Sequence, residues 1–116
     1  MMDVREAMQV GEASYATQLG ELRRAGFAAS FTQTGGMCAA LEIVLERGYL
    51  LVTNSEDELP WSPEELRGWG VGYYECEDVS EGPVVFVETP RTDARALVAS
   101  VVACLRERAD VSRLKS

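Results

Sequence analysis

Residues 27–54 read FAASFTQTGGMCAALEIVLERGYLLVTN, and this stretch decides the fold. It contains three runs rich in aliphatic and aromatic residues, which are separated by Gly35-Gly36 and by Arg47-Gly48. A pair of glycines between two apolar runs is a strong signal for a two-residue β-hairpin. The pattern therefore predicts an antiparallel meander of three strands, over residues 27–34, 37–46 and 49–54.

The register of this meander follows if both turns contain two residues. Phe27 then opposes Val44, Phe31 opposes Ala40, and Ile43 opposes Val52. Successive side chains of a strand point to opposite faces, so this register sorts the residues into two sets. One set is apolar and is expected to lie under the helices: Ala28, Leu41, Ile43, Leu45, Leu50 and Val52. The other set forms a mixed face: Phe27, Phe31, Val44, Tyr49 and Leu51 with Glu42, Glu46 and Thr53.

The segments on either side have helical periodicity. A first helix is predicted over residues 3–25 and ends at Gly26, and a last helix begins at Thr89-Pro90 or at Thr92 and runs to about Arg108. Residues 110–116 are expected to fray. The stripe of the first helix is Val4, Met8, Tyr15, Leu19 and Leu22, and that of the last is Leu97, Val98, Val101, Cys104 and Leu105.

Two further elements are predicted between the meander and the last helix. Ser62-Pro63 starts a short helix that ends at about Arg67. A second hairpin covers residues 71–77 and 83–89, with Glu77 opposite Val84. This register adds four residues to the mixed face, namely Tyr73, Glu75, Phe86 and Glu88, and it places Tyr74, Cys76, Val85 and Val87 under the helices.

The predicted fold class is α+β in a single domain, residues 1–116. The element order is α-β-β-β-(short α)-β-β-α, and the five strands form one antiparallel sheet with the long helices on one face. A chain of 116 residues has room for one hydrophobic core.

Charge excludes several classes of function. The chain has 11 basic and 19 acidic residues, for a net charge of −8, so it is not a nucleic-acid backbone binder. Residues 56–81 hold nine acids and one base, which accounts for the whole net charge. No apolar run approaches the roughly 18 residues of a membrane helix, and the acidic, amphipathic residues 1–6 do not predict a secretory signal. Three widely spaced cysteines indicate buried thiols in a reducing cytoplasm.

No recognisable catalytic constellation is present. The chain has no histidine, the commonest general base and metal ligand. The turn Thr34-Gly35-Gly36 matches no phosphate-binding spacing and is interpreted as a hairpin. A carboxylate set for a divalent metal would be Glu42, Glu75, Glu77 and Glu88, but charges on a sheet surface are ordinary. The sequence predicts no enzyme, no cofactor and no metal site.

The surface favours binding of other macromolecules. The mixed face carries more apolar area than a lone monomer usually exposes, which predicts a homodimer through Phe27, Phe31, Leu51 and Phe86. Aromatic residues beside acids suit a protein partner with a basic surface, and the predicted contact residues are Trp61, Trp69, Tyr73, Glu75 and Glu77. In the alternative, the residues of the long loop 55–70 cover the mixed face, and the two tryptophans fix that loop to the sheet.

The strand pattern of residues 27–54, with the T-Q-T-G-G turn at 32–36 and a following loop of Trp, Pro and acids, resembles small uncharacterised proteins of actinobacteria and their phages. That resemblance implies an accessory or host-interaction role and no catalytic residues. The order of elements, the size and the acidity are also similar to the dimeric chaperones of bacterial secretion systems, at the level of topology.

The leading hypothesis is a small, acidic, non-enzymatic accessory protein of the cytoplasm that binds another protein. The alternatives are a small-molecule or nucleotide-sequestering protein, with Thr32, Gln33, Tyr73 and Arg91 as polar contacts, and a secretion-chaperone-like dimer. A metal-dependent enzyme and a DNA mimic are weaker alternatives, because the carboxylates lack a complementary base and the negative charge is too localised to imitate a duplex.

Overall fold

The computed structural model describes residues 4–35, 38–55, 59–60, 63–75 and 82–115, with side chains within 5–32, 39–55, 59–60, 63–75 and 82–109. One antiparallel sheet has its five strands in sequence order, and helices pack on it, so the predicted α+β class is confirmed. The strands are β1 (Ala28–Gly35), β2 (Cys38–Val44), β3 (Tyr49–Asn54), β4 (Trp69–Tyr74) and β5 (Val85–Thr89). The helices are α1 (Val4–Ser14), α2 (Ala16–Arg24) and α3 (Ala94–Lys115), and a 3-10 turn covers Pro63–Glu65.

The helices cover one face of the sheet, which we call the inner face. Helices α1 and α2 pack on β1, α3 packs on β4 and β5, and α2 contacts α3. Two rows of residues that pair across all five strands build the inner face, namely Ala29-Ile43-Leu50-Tyr73-Val85 and Phe31-Leu41-Val52-Val71-Val87. Beyond them, Asn54, Trp69 and Thr89 pair across β3, β4 and β5, and Ala39 of β2 bridges to Leu59.

The predicted register of the first hairpin is wrong by one residue. Ala28 pairs with Val44 and Phe31 with Leu41, and the pairing is irregular between Gln33 and Gly35. Since side chains alternate along a strand, a slip of one residue exchanges the two faces of β1. Phe31 is therefore on the inner face, where it is 5% exposed.

The second and third pairings differ from the prediction in different ways. Ile43 pairs with Leu50 instead of Val52, a slip of two residues that leaves the predicted faces of β2 and β3 unchanged. Tyr73 pairs with Val85, so Tyr73 shares the inner face with Val85, whereas the prediction placed it on the mixed face. Tyr74, one residue later, is correspondingly on the opposite side.

The predicted first helix divides at Tyr15 into α1 and α2. Tyr15 has φ −106° and ψ 21°, and it is fully buried. Its ring stacks on Phe31 with the ring centroids 6.2 Å apart, and its hydroxyl donates a hydrogen bond to the carbonyl oxygen of Pro60. Burial, and secondarily the Glu65 carboxylate, raises the pKa of Tyr15, so the hydroxyl remains a donor. These contacts fix α1 and α2 over β1 and tie them to the loop.

Helix α2 ends as predicted at Gly26, which has φ 97°. A left-handed backbone conformation favours glycine because it has no Cβ to clash. The N–H of Gly26 bonds to the carbonyl of Arg23, and that of Phe27 bonds to the carbonyl of Leu22. Phe27, which follows this turn, therefore packs against the core and does not lie on the predicted mixed face.

Two helical glycines give a matched test of this packing. A methyl group at Gly11 would overlap the Phe31 ring, whereas nothing lies near a methyl group at Gly20. We expect Gly20→Ala to raise the free energy of unfolding by about 0.5–1 kcal/mol through helix propensity. We expect Gly11→Ala to lower it by about 1–3 kcal/mol, because the buried ring has to move. Urea denaturation measures both changes, and stabilisation by both substitutions would contradict the position of Phe31.

Candidate interaction face

The outer face of the sheet lies opposite the helices and carries the candidate site. It consists of the side chains that alternate with the inner rows. Pairing arranges them in two continuous rows, Ala28-Val44-Tyr49-Tyr74 and Ser30-Glu42-Leu51-Gly72-Phe86, and in a third row that has two parts, Thr32-Ala40 and Thr53-Gly70-Glu88. Small and hydroxyl side chains of β1 form one end of the face, and aromatic and acidic side chains lie towards β4 and β5.

Phe86 is the most prominent side chain of the outer face. Its ring lies over the two glycines of β4, since a Cβ at Gly70 would be 2.9 Å from the ring and one at Gly72 would be 3.5 Å from it. In a β-sheet, an aromatic ring of a neighbouring strand can cover the backbone of a glycine, which has no side chain of its own to do so. The ring is nevertheless 45% exposed, so it covers the backbone and remains available to a partner.

The aromatic surface continues from Phe86 towards β3. Tyr74 lies beside Gly72, and its ring stacks on Tyr49 of the neighbouring strand with centroids 5.5 Å apart and planes 10° apart. Burial raises the pKa of Tyr74, so this hydroxyl is neutral at physiological pH. Leu51 lies at the centre of the face and is buried, whereas Val44 is 57% exposed.

Acidic groups are interspersed with these apolar side chains. Glu42 is in the row of Leu51 and Phe86, and Glu88 is in the adjacent row next to Gly70. Glu75 directly follows β4 and is exposed. None of the three is joined to a basic side chain by a described ion pair. The arrangement presents a rigid aromatic surface with negative charge around it.

Two predicted partner contacts, Trp69 and Tyr73, are wrong because both are buried on the inner face. Trp69 is fully buried, and its indole N–H donates a 3.0 Å hydrogen bond to the carbonyl oxygen of Asp93. Tyr73 is 3% exposed, and the Arg108 guanidinium carbon is 4.9 Å from its ring centroid. Neither side chain can contact a partner without unfolding. Glu75 is exposed as required, and Trp61 and Glu77 lie outside the described residues.

The predicted dimer face divides in the same way. Phe27 and Phe31 pack into the core, so their assignment to that face is wrong. Leu51 and Phe86 do lie on the outer face. The exposed apolar area is therefore smaller than the sequence indicated, and it is concentrated at Phe86, at Val44 and at Val84, which lies just before β5.

The described part of the long loop lies at the end of the sheet, not over the outer face. Leu59 pairs with Ala39 and belongs to the core, and Leu66 packs against it. The buried Asn54 side-chain oxygen accepts hydrogen bonds from the backbone N–H groups of Ser55 and Arg67, at 3.1 and 2.9 Å. These bonds hold the two ends of the loop together.

The described residues do not assemble the alternative chemical sites. Thr32 pairs with Ala40 on the outer face, whereas Tyr73 is on the inner face, so the polar contacts predicted for a small-molecule pocket are separated. Within the described ranges, no group of three His, Cys, Asp or Glu side chains comes together to hold a metal ion. The Cys104 thiol is fully buried and donates to the carbonyl of Val71; burial, and then Glu107, raise its pKa to about 11, so it is a poor nucleophile.

Comparison with protein-family models, curated proteins and solved structures finds no match to this chain. Across the described residues, each helix is too short or too polar to cross a membrane. The class that fold and face define is therefore a small α+β protein with an acidic, aromatic sheet surface, and its function is argued from that surface.

Proposed function

We propose that this protein is a non-enzymatic accessory protein whose outer face binds another protein with a basic surface. The observation that carries the proposal is the half-exposed Phe86 ring, held over Gly70 and Gly72 with Glu42 and Glu88 on the same face. Exposed aromatic side chains near the centre of an interface commonly supply most of its binding energy.

Phe86 is suited to this role because its position is already restricted. Ordering a flexible side chain at an interface costs about 0.5–1.5 kcal/mol. A ring that rests on the backbone of β4 has lost part of that freedom before the partner arrives. Tyr74 and Tyr49 extend the same surface as a stacked pair, so the partner meets a preformed apolar area.

The carboxylates favour a partner of opposite charge. Complementary charges accelerate encounter and disfavour partners of the wrong sign, and added salt weakens both effects. The partner is therefore expected to present Arg or Lys side chains around an apolar centre. Arg suits this surface best, because its guanidinium can stack on an aromatic ring and bind a carboxylate at once.

The homodimer stays a prediction, with less support than the sequence indicated. Its argument depended on Phe31, which the core buries, and on Phe27, which is partly buried and packs against the core. Leu51 is also almost fully buried, at 6% exposed, so two copies would meet chiefly through Phe86, Val44 and Val84. Location in the cytoplasm and a relation to phage accessory proteins also stay predictions.

The test compares two substitutions of exposed apolar residues on opposite sides of the molecule. Phe86→Asp changes the outer face, and Val10→Asp changes α1, where Val10 is 46% exposed. We expect immobilised wild type and Val10→Asp to retain the same protein from a lysate of the source cells. We expect Phe86→Asp to reduce its retention at least about tenfold, which corresponds to about 1.4 kcal/mol.

Sedimentation of the purified variants completes this test. Equal retention of the same protein by both variants, or retention of none, would contradict the proposed role of the outer face. A wild-type dimer that only Phe86→Asp dissociates would assign the face to a second copy instead. Far-ultraviolet circular dichroism of each variant establishes that the fold is retained.

A further inference from the structure

A groove of about 610 Å³ lies between α2 and α3, in the helical layer on the other side of the molecule from the outer face. Small or short side chains line most of it: Thr17, Ala25, Ala94, Val98 and Ala99. Because these side chains are short, an open and largely apolar channel remains between the two helices. A groove between two helices has the shape that receives a third helix.

The charges at this groove are opposite in sign to those of the protein as a whole. Arg24 of α2 and Arg95 of α3 are on its two walls, and Glu21 is the one acidic residue among the described lining. Glu21 pairs with Arg24 at 3.4 Å, and the Arg24 side chain remains 80% exposed. Arg95 is exposed and forms no ion pair with a described residue. The groove is therefore locally positive on a chain of net charge −8.

The neighbouring arginines are each paired with a carboxylate. Arg23 is 3.6 Å from Glu12, and Arg91 is 3.2 Å from Asp93. At the groove itself the two arginines exceed the single Glu21 by one charge, and Arg95 is the arginine there that has no ion pair with a described residue.

We propose that the groove binds an amphipathic helix of an acidic partner. The apolar stripe of that helix packs against Val98 and the alanines, and its flanking Glu or Asp residues pair with Arg24 and Arg95. Charge complementarity selects this occupant, because the lining holds two arginines and one glutamate, so a basic helix would meet a site of its own sign. The inference is independent of the function proposed for the outer face. Together, the two surfaces allow the protein to hold a basic and an acidic partner at once.

The test uses two synthetic peptides of 18 residues, on the order of five helical turns. Both carry the same stripe of leucine and alanine at helical spacing. The acidic peptide has glutamate at all flanking positions, and the basic peptide has lysine there. Fluorescence anisotropy of labelled peptide, titrated with full-length protein at low ionic strength, measures the affinity. We expect saturable binding of the acidic peptide and at least about tenfold weaker binding of the basic peptide.

Charge reversal of the walls provides the decisive comparison. In the double variant Arg24→Glu with Arg95→Glu, the affinity for the acidic peptide is expected to fall at least about tenfold. This variant is expected to bind the basic peptide better than wild type does. Arg106→Glu is the matched control. It is exposed, lies on the same side of α3 about three turns beyond Arg95, and is not part of the groove. Its affinity for the acidic peptide is expected to fall less than twofold.

A second substitution tests the apolar part of the site without changing charge. Ala99 is exposed, so Ala99→Trp fills the channel without disturbing the core. We expect this substitution to lower the affinity for the acidic peptide at least about tenfold. Phe86→Asp is expected to leave the affinity for this peptide unchanged, which separates the groove from the outer face.

Four results would overturn the proposal. The first three are absence of saturable binding of the acidic peptide, equal affinity of wild type and the Arg24/Arg95 double variant, and loss of binding in Phe86→Asp. A fourth is concentration-dependent assembly of the wild type alone that both Phe86→Asp and the double variant abolish. That pattern would place the acidic outer face of a second copy in the groove, in place of a foreign helix.

Discussion

Replacement of Phe31 by alanine is expected to lower the free energy of unfolding by about 3–5 kcal/mol. The Phe31 ring is 5% exposed and packs between α1 and the sheet. It stacks on Tyr15 and covers Gly11, so its removal leaves a cavity that the close contact of α1 with β1 cannot easily fill. The loss of an aromatic pair adds to the cost of the cavity.

Phe86→Ala is the matched control, since it removes the same ring from the opposite face. Phe86 is 45% exposed, and its removal uncovers Gly70 and Gly72 without opening the core. We expect it to cost about 1 kcal/mol or less. Urea denaturation followed by circular dichroism gives both values. Equal costs for the two substitutions, or a larger cost for Phe86→Ala, would contradict the observed register.

The error in the first hairpin shows which sequence signal was stronger. The pattern of β1 has Phe27, Ala29 and Phe31 on one face and small or hydroxyl residues on the other. That alternation by itself predicts that both phenylalanines are buried. The assumption of a two-residue turn at Gly35-Gly36 fixed the opposite register, and the irregular pairing between Gln33 and Gly35 overrode it. A turn signal locates a hairpin, but it does not determine the parity of its register.

The same signal was available in β4, which reads WGVGYY. Trp69, Val71 and Tyr73 alternate with Gly70 and Gly72. This alternation predicts a strand with large apolar side chains on one face and no side chains on the other. The prediction began this strand at Val71 and set its register from a turn that the sequence does not define. The backbone at the two glycines has no side chains to cover it on this face. Neither this feature nor the position of the Phe86 ring over it could be predicted from that register.

Elements with strong periodicity were predicted, but not all of their bounds: α3 continues to Lys115, so the predicted end at about Arg108 and the fraying of residues 110–115 are wrong. The meander, the end of the first helix at Gly26 and the short turn after Pro63 all occur, and Leu51 and Phe86 lie on the expected face. The groove between α2 and α3 was not predicted, because it depends on how two helices distant in sequence diverge. Short side chains at Ala25, Ala94 and Ala99 indicate close approach of the helices as readily as a channel between them.

Trp69→Ala is expected to lower the free energy of unfolding by about 3–5 kcal/mol. The sequence assigned Trp69 to a binding surface, where its loss would weaken a partner and leave the fold intact. The structure buries it fully at the start of β4, between Asn54 and Thr89 of the neighbouring strands. The substitution therefore opens a cavity beneath the N-terminal end of α3.

Trp69 also connects the sheet to the first turn of α3. Its indole N–H bonds to the carbonyl of Asp93, whose carboxylate accepts a 3.1 Å hydrogen bond from the N–H of Ala96. That bond, and the nearby Arg91, hold the pKa of Asp93 below its usual range. The lowered pKa means that this cap contributes to stability above the ordinary Asp pKa and is lost as the pH falls through the folded-state pKa.

Trp69→Phe separates the two contributions, because it keeps most of the buried ring and removes the N–H donor. The Asp93 carbonyl retains a bond from the N–H of Leu97, at 3.2 Å, so we expect Trp69→Phe to cost only about 1–2 kcal/mol. Circular dichroism in urea is the suitable measurement, since the substitutions remove a fluorophore. If Trp69→Ala cost less than about 1 kcal/mol and instead weakened the partner that wild type retains, Trp69 would be a surface contact. The assignment of Trp69, Val71 and Tyr73 to the inner face would then be wrong. The assignment of the outer face depends on it.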